Sequence, residues 1–177
     1  MHVTLRARRG VPSLRFPRAC DAVFAALAAA SRADFRVIHF SVQSDHILMI
    51  VEAHDKETLP RGLRGLTTRT ALACNRALHR KGRVWGDRYH ARPLATPREV
   101  RNGLVYVLMN FRKHCPHDRS PVDPCSSAPW FDGFRNPLPR PAEPPPTCRP
   151  RTWLASKGWH RSGGLLNLSE HPKTQPP

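Results

Sequence analysis

The chain has 177 residues, 40% of them hydrophobic, which suits one domain of ordinary size with some excess. Lysine and arginine number 29 against 13 acidic residues, a net charge of +16, and only five of the 29 are lysines. No apolar run approaches the roughly 20 residues that span a bilayer, and no basic amphipathic helix carries an aromatic face, so membrane partners are excluded and nucleic acid is favoured.

The first elements follow from hydrophobic periodicity. "HVTLRAR" (His2–Arg8) alternates like a strand, and Arg18–Arg32 reads as a helix with Val23, Phe24 and Leu27 on its apolar face. Its core, Ala22–Ser31, is too short for a membrane span and is not placed as a signal peptide, so a cytoplasmic, nucleoid-associated location is expected. Phe35–Gln43 is a second strand, joined by "SD" to a third in a hairpin. In that third strand, "SDHILMIVEA" (Ser44–Ala53), alternation puts His46, Leu48, Ile50 and Glu52 on one face and Ile47, Met49 and Val51 on the other.

Lys56–Lys81 is a long helical stretch with Leu59, Leu63, Leu66, Ala73 and Ala77 as its apolar stripe; Gly62 and Gly65 weaken its first turns. Its outer face carries Arg61, Arg64, Arg69, Arg76 and Arg80. "GRVWGDRYHARPL" (Gly82–Leu94) predicts a short, broken strand. "TPREV" then announces a helix to about Lys113, with Thr96 as N-cap, Pro97 at the first position and Glu99 closing a capping box.

Eleven of the nineteen prolines fall between Pro116 and Pro150, which predicts an extended segment. Arg151–Leu168 regains some hydrophobicity and can dock back, and the last residues, "SEHPKTQPP", are expected to be disordered. The order strand, helix, strand, strand, helix, strand, helix is an α+β, ferredoxin-like split βαβ pattern with an added helix. An antiparallel sheet with helices on one face, leaving the other open to a ligand, is expected. The boundaries that follow are 1–114, a Pro-rich 115–150 and a basic tail 151–177.

Five widely spaced cysteines without a CxxC read as reduced thiols. "HCPH" (His114–His117) with Cys125 matches no common zinc module. In the last helix Tyr106 and Asn110 stand four apart and share a face, which Asn102 and Lys113 extend as a polar stripe. Val100, Leu104, Val107, Leu108 and Phe111 form the buried side. Periodicity alone favours Tyr106 as a boundary residue with its hydroxyl in water.

Three segments in order, "SVQSDHILMIVEA", "GRVWGDRYHARPL" and "REVRNGLVYVLMNFRKH", resemble the single-tyrosine HUH transposases, in particular the REP-associated tyrosine transposase branch. The resemblance spans roughly His2 to His114, and "DPCSSAPWFDGF" (Asp123–Phe134) is similar to that branch's C-terminal part. It implies an enzyme that cuts and rejoins single-stranded, hairpin-bearing DNA through a 5′-phosphotyrosine link, acting as a homodimer. Tyr106 is then the nucleophile, with His46 and Asn110 as ligands of a divalent cation, Mg²⁺ or Mn²⁺, that polarises the phosphate.

The family's second strand histidine falls at Leu48, which ligates no metal, so catalytic competence is in question and a non-catalytic DNA-binding relic is the alternative. A histidine at 48 is expected to complete a metal-directed pair, since i and i+2 lie about 7 Å apart on one face. His39, on the neighbouring strand, is a conceivable substitute ligand, but the pattern favours a satisfied strand histidine. The arginines of the long helix, with Arg83, Arg88 and Arg92, are expected to contact phosphates. Trp85 and Tyr89 are available to stack on unpaired bases, although Trp85 serves equally as a core anchor.

Overall fold

Four strands form one antiparallel sheet in the order β2-β3-β1-β4, where β1 is His2–Arg6, β2 Phe35–Val42, β3 His46–Ala53 and β4 His90–Arg92. The computed structural model describes residues 1–114 and 120–172. Helix α1 (Pro17–Ala30) joins β1 to β2, and α2 (Thr58–Ala77) joins β3 to β4. Since β3 is antiparallel to both neighbours, β1 and β2 run parallel with β3 between them, the split βαβ arrangement expected from the element order.

Alternation sorts the strand residues as anticipated. Val3, Leu5, Val37, Phe40, Ile47, Met49 and Val51 point to one face and bury Val23 and Leu27 of α1 with Leu63 and Leu66 of α2. Burying each such side chain is worth about 1.5–3 kcal/mol. The broken fourth strand is also found: only three residues pair with β1, while Trp85 forms an isolated bridge with Ala7.

The second face is not open. Leu48, Ile50 and Ile38 pack against Val100, Leu104, Val107 and Leu108 of α3 (Pro97–Met109), and Val122, Ala128, Phe134, Trp159 and Leu166 complete the same cluster. Helix α3 begins with the anticipated capping box, Thr96 Oγ1 accepting from the Glu99 amide while the Glu99 carboxylate accepts from the Thr96 amide. Its polar stripe is narrower than periodicity implies, because Gly103, Val105, Met109 and Asn110 are also buried. The reason is a third layer: the chain beyond residue 120 lies over α3. The boundary expected after 114 therefore divides residues that share a core.

The Pro-rich segment is accordingly anchored rather than simply extended. Asp123 is fully buried and takes two hydrogen bonds from the Arg15 guanidinium, both 2.9 Å, one from Ser41 Oγ at 3.2 Å and one from the Cys125 amide at 2.9 Å. Glu52, also buried, accepts from Arg36 at 3.0 Å, from the Thr152 hydroxyl at 2.6 Å and from the amides of Arg151 and Thr152. Glu170 holds Arg101 through two bonds of 2.9 and 2.7 Å, so the tail is tied down at least to that residue. Residues 173–177, the last part of the stretch expected to be disordered, lie outside the described residues, as do residues 115–117 of "HCPH" and the side chain of Lys113.

The two glycines of α2 differ in role. A Cβ on Gly62 overlaps the ring of the fully buried Phe35, whereas one on Gly65 meets open space. Gly62→Ala is expected to cost about 1–3 kcal/mol through overpacking, and Gly65→Ala to stabilise by about 0.5–1 kcal/mol through helix propensity. Urea melts of the two variants, read for shifts of opposite sign, check this.

Candidate nucleic-acid site

The β3 residues His46, Leu48 and Ile50 lie on the α3 side of the sheet, opposite Arg6, Thr4 and His2 of β1. His46 directs Nδ1 to Asp45 Oδ1 at 2.7 Å, and Asp45 also meets the exposed Arg6 at 3.5 Å. The His46 bond is the chief reason the Asp45 carboxyl sits below its ordinary range. Leu48 is only 1% exposed and belongs to the core under α3. Asn110, where α3 gives way to a further turn at Phe111–His114, is buried as well, and its Nδ2 has no hydrogen-bond partner.

Tyr106 is half-buried, and the side chain it meets is one that pattern reading passed over. The His2 ring packs edge-on against it, with centroids 5.5 Å apart and planes at 85°. His2 is 3% exposed, with no partner for Nε2. Burial first, then the positive charges of the N-terminus, His90 and Arg92, lowers its pKa to about 4. His90 and Arg92 stand on the same side of the sheet, since Arg92 pairs with His2 and His90 with Thr4. The signal for this cluster is the polar half of the first strand, His2, Thr4 and Arg6. Which side chain covers it depends on how α3 docks, which no local pattern encodes.

His39 does not stand in for the missing histidine. The strand register shifts between Val37 and His39, so Ile38 and His39 both turn to the second face, and His39 stands opposite Ile50. That is four residues, or about 13 Å, along β3 from His46. The ring packs edge-on against Phe131 at 5.1 Å, and desolvation lowers its pKa to about 4 against the pull of Asp132.

Among the described residues no group of three His, Cys, Asp or Glu side chains is placed to hold a metal ion. Of the expected ligands, His46 supplies one imidazole and Asn110 one amide beside a sealed leucine, where hard divalent cations take about six oxygen-rich ligands. The described donors therefore do not fit a resident Mg²⁺ or Mn²⁺.

The basic residues fall on two sides. Helix α2 packs with α1 on the face of the sheet away from α3, so Arg64, Arg69 and Arg76, all exposed, lie on the layer opposite Tyr106. Arg61 is tied to Asp34 at 3.3 Å, and Arg80 to Asn75 Oδ1 at 2.8 Å and the Arg83 carbonyl at 3.3 Å. Arg88 is exposed and Arg92 pairs with Glu99 at 3.5 Å. Trp85 resolves as a core anchor: it is 7% exposed and donates Nε1–H to the Thr67 carbonyl of α2 at 2.9 Å, so it does not stack on bases. Tyr89 packs partly buried against the same core.

The two depressed imidazoles set an acid limit. Each is neutral in the folded chain down to about pH 4 but protonates near pH 6.5 when unfolded, so the unfolded state binds more protons between these values. Stability is therefore lost as pH falls from about 6.5 to 4, by at most about 3 kcal/mol per ring. Asp45, depressed in the other sense, contributes its loss only at lower pH. Melting temperature against pH checks this: His2→Gln should flatten the slope between pH 6.5 and 4.5.

No family model, no curated protein and no solved structure matches the chain. Among the described residues no helix is long and apolar enough to cross a membrane.

Proposed function

We propose that this chain binds single-stranded, hairpin-bearing DNA as a transposase-type domain, without metal-assisted scission. One juxtaposition carries the reading: a tyrosine-bearing helix docks on the strand face of His46, while Leu48, at the second ligand position, is sealed in the core beneath it. The charge of +16 and the exposed arginines of α2 support a polyanionic partner. The resemblance to single-tyrosine HUH transposases supplies the class of DNA, a homodimeric state and a nucleoid-associated location. Light scattering after gel filtration reads the dimer.

A second reading, nicking and rejoining through Tyr106, is favoured by the half-buried position of that residue against His2, whose charged neighbours on β4 are His90 and Arg92. Of these, the exposed His90 and Arg92 would offer a phosphate an imidazole and a guanidinium without a metal, Arg92 in exchange for its pairing with Glu99. Incubation with hairpin oligonucleotides, run on denaturing gels with and without Mn²⁺, separates the two. Binding without a covalent adduct supports the first reading; an adduct that Tyr106→Phe abolishes, binding intact, supports the second. Six or more phosphate contacts should give a log–log salt slope of about −0.7 per contact. A binding constant flat from low to physiological salt overturns both.

A further inference from the structure

A cavity of about 660 Å³ opens at the outer edge of the sheet, between β2 and the C-terminal layer. It falls within the roughly 300–1,000 Å³ of small-molecule sites. Its walls are planar rings: Trp130, Phe131 and Trp159, with the His39 ring held edge-on to Phe131. Phe131 and Trp159 lie 5.9 Å apart at 34°, and the Gly133 backbone passes so close that a Cβ there would meet both rings. The Gly133 backbone thus backs the Phe131 and Trp159 rings directly.

The rim is cationic. Arg149 and Lys157 line the cavity, both exposed, and neither has an ion-pair or side-chain hydrogen-bond partner among the described residues. Of the two carboxylates at the rim, Asp132 faces Arg140 at 4.0 Å, which leaves Glu143 as the opposing charge. Flat apolar surfaces beside unpaired cations match a base attached to its phosphate: the base gains stacking contact and the phosphate gains the guanidinium and ammonium. His39, neutral near pH 7, adds a ring that either donates or accepts a hydrogen bond according to its tautomer.

We infer that this cavity receives one unpaired nucleotide, its base against Trp130 and Phe131 and its phosphate at Arg149 and Lys157. The occupant's identity rests on the DNA reading above; the cavity and its chemistry do not. It lies at the β2 edge and is lined by none of His46, Tyr106 or Asn110.

Two arms test the inference. In the first, thymidine and deoxyadenosine 5′-monophosphates are titrated while tryptophan fluorescence is followed, with wild type and with Arg149→Glu/Lys157→Glu. Both substitutions fall on exposed, unpartnered side chains, so the fold should persist, which circular dichroism checks. Saturable quenching is expected, weakened at least about tenfold in the double variant. In the second arm, hairpin oligonucleotides carrying 5-iododeoxyuridine at each unpaired position are photo-crosslinked and the peptides mapped. Crosslinks to Trp130, Phe131 or Trp159, lost in the double variant, are expected. DNA bound with crosslinks elsewhere, and no mononucleotide quenching, overturns the cavity assignment and leaves the DNA reading standing. Mononucleotide quenching without hairpin binding overturns the DNA reading and leaves the cavity. Failure of both arms overturns both.

Discussion

Asp123→Ala should lower the unfolding free energy by about 3–5 kcal/mol, the range for removing one partner of a buried ion pair. The carboxylate is 0% exposed and is bound through both oxygens by an Arg15 guanidinium that is itself only 15% exposed. Arg15 also donates to the Val42 carbonyl, and Ser41 in turn accepts from Gln43 Nε2 at 2.6 Å. The residue therefore ties the turn before α1, the end of β2 and the segment beyond residue 120 into one network. Its loss removes the buried carboxylate that binds both Arg15 guanidinium nitrogens and leaves the Cys125 amide without its acceptor. Asp123→Asn keeps the shape and part of the hydrogen bonding, so it should fall between wild type and alanine. Urea unfolding read by tryptophan fluorescence measures both; a loss under about 1 kcal/mol for alanine would mean that the network contributes no more than a surface pair.

Leu48→His is expected to cost about 3–5 kcal/mol, from lost apolar burial plus an imidazole without a partner. From the sequence, this substitution completes a metal-directed pair on an open face. The structure reverses that expectation, because position 48 faces α3 and not solvent. Mn²⁺ titration by calorimetry should give no added heat over wild type, and chemical denaturation should show a clear loss of stability. Tight Mn²⁺ binding by a folded Leu48→His would restore the metal-dependent reading of His46.

Where local chemistry decides the outcome, the sequence was informative. Thr96, Pro97 and Glu99 specify a helix start by hydrogen bonds three residues long, and they form as read. The period-2 pattern of β3 places Leu48 beside His46 on one face, also as read, because neighbouring side chains set that face. The fate of Trp85 and Asn110 was not legible, since both depend on what a distant segment covers. Trp85 is fixed by a carbonyl eighteen residues away on α2. Asn110 lies on a helix whose outer side is covered by residues beyond 120, and composition marked part of that covering chain as extended. The pairing of His2 with Tyr106 joins residues at opposite ends of the first expected domain, and strand order together with helix docking brings them together.

The position of α3 between the sheet and the last layer has a consequence for synthesis. When Met109 leaves the ribosome, all four strands exist and the inner side of the helix can dock, but its outer side has no cover. Val122, Ala128 and Phe134 arrive next, while Trp159 and Leu166, which finish that cluster, are made about 50 residues after Met109. At translation rates of about 5–20 residues per second, the helix spends seconds with an apolar surface bare. A chain terminated between Met109 and Trp159 retains that surface permanently, so premature stops in this interval should yield aggregating rather than merely shortened protein.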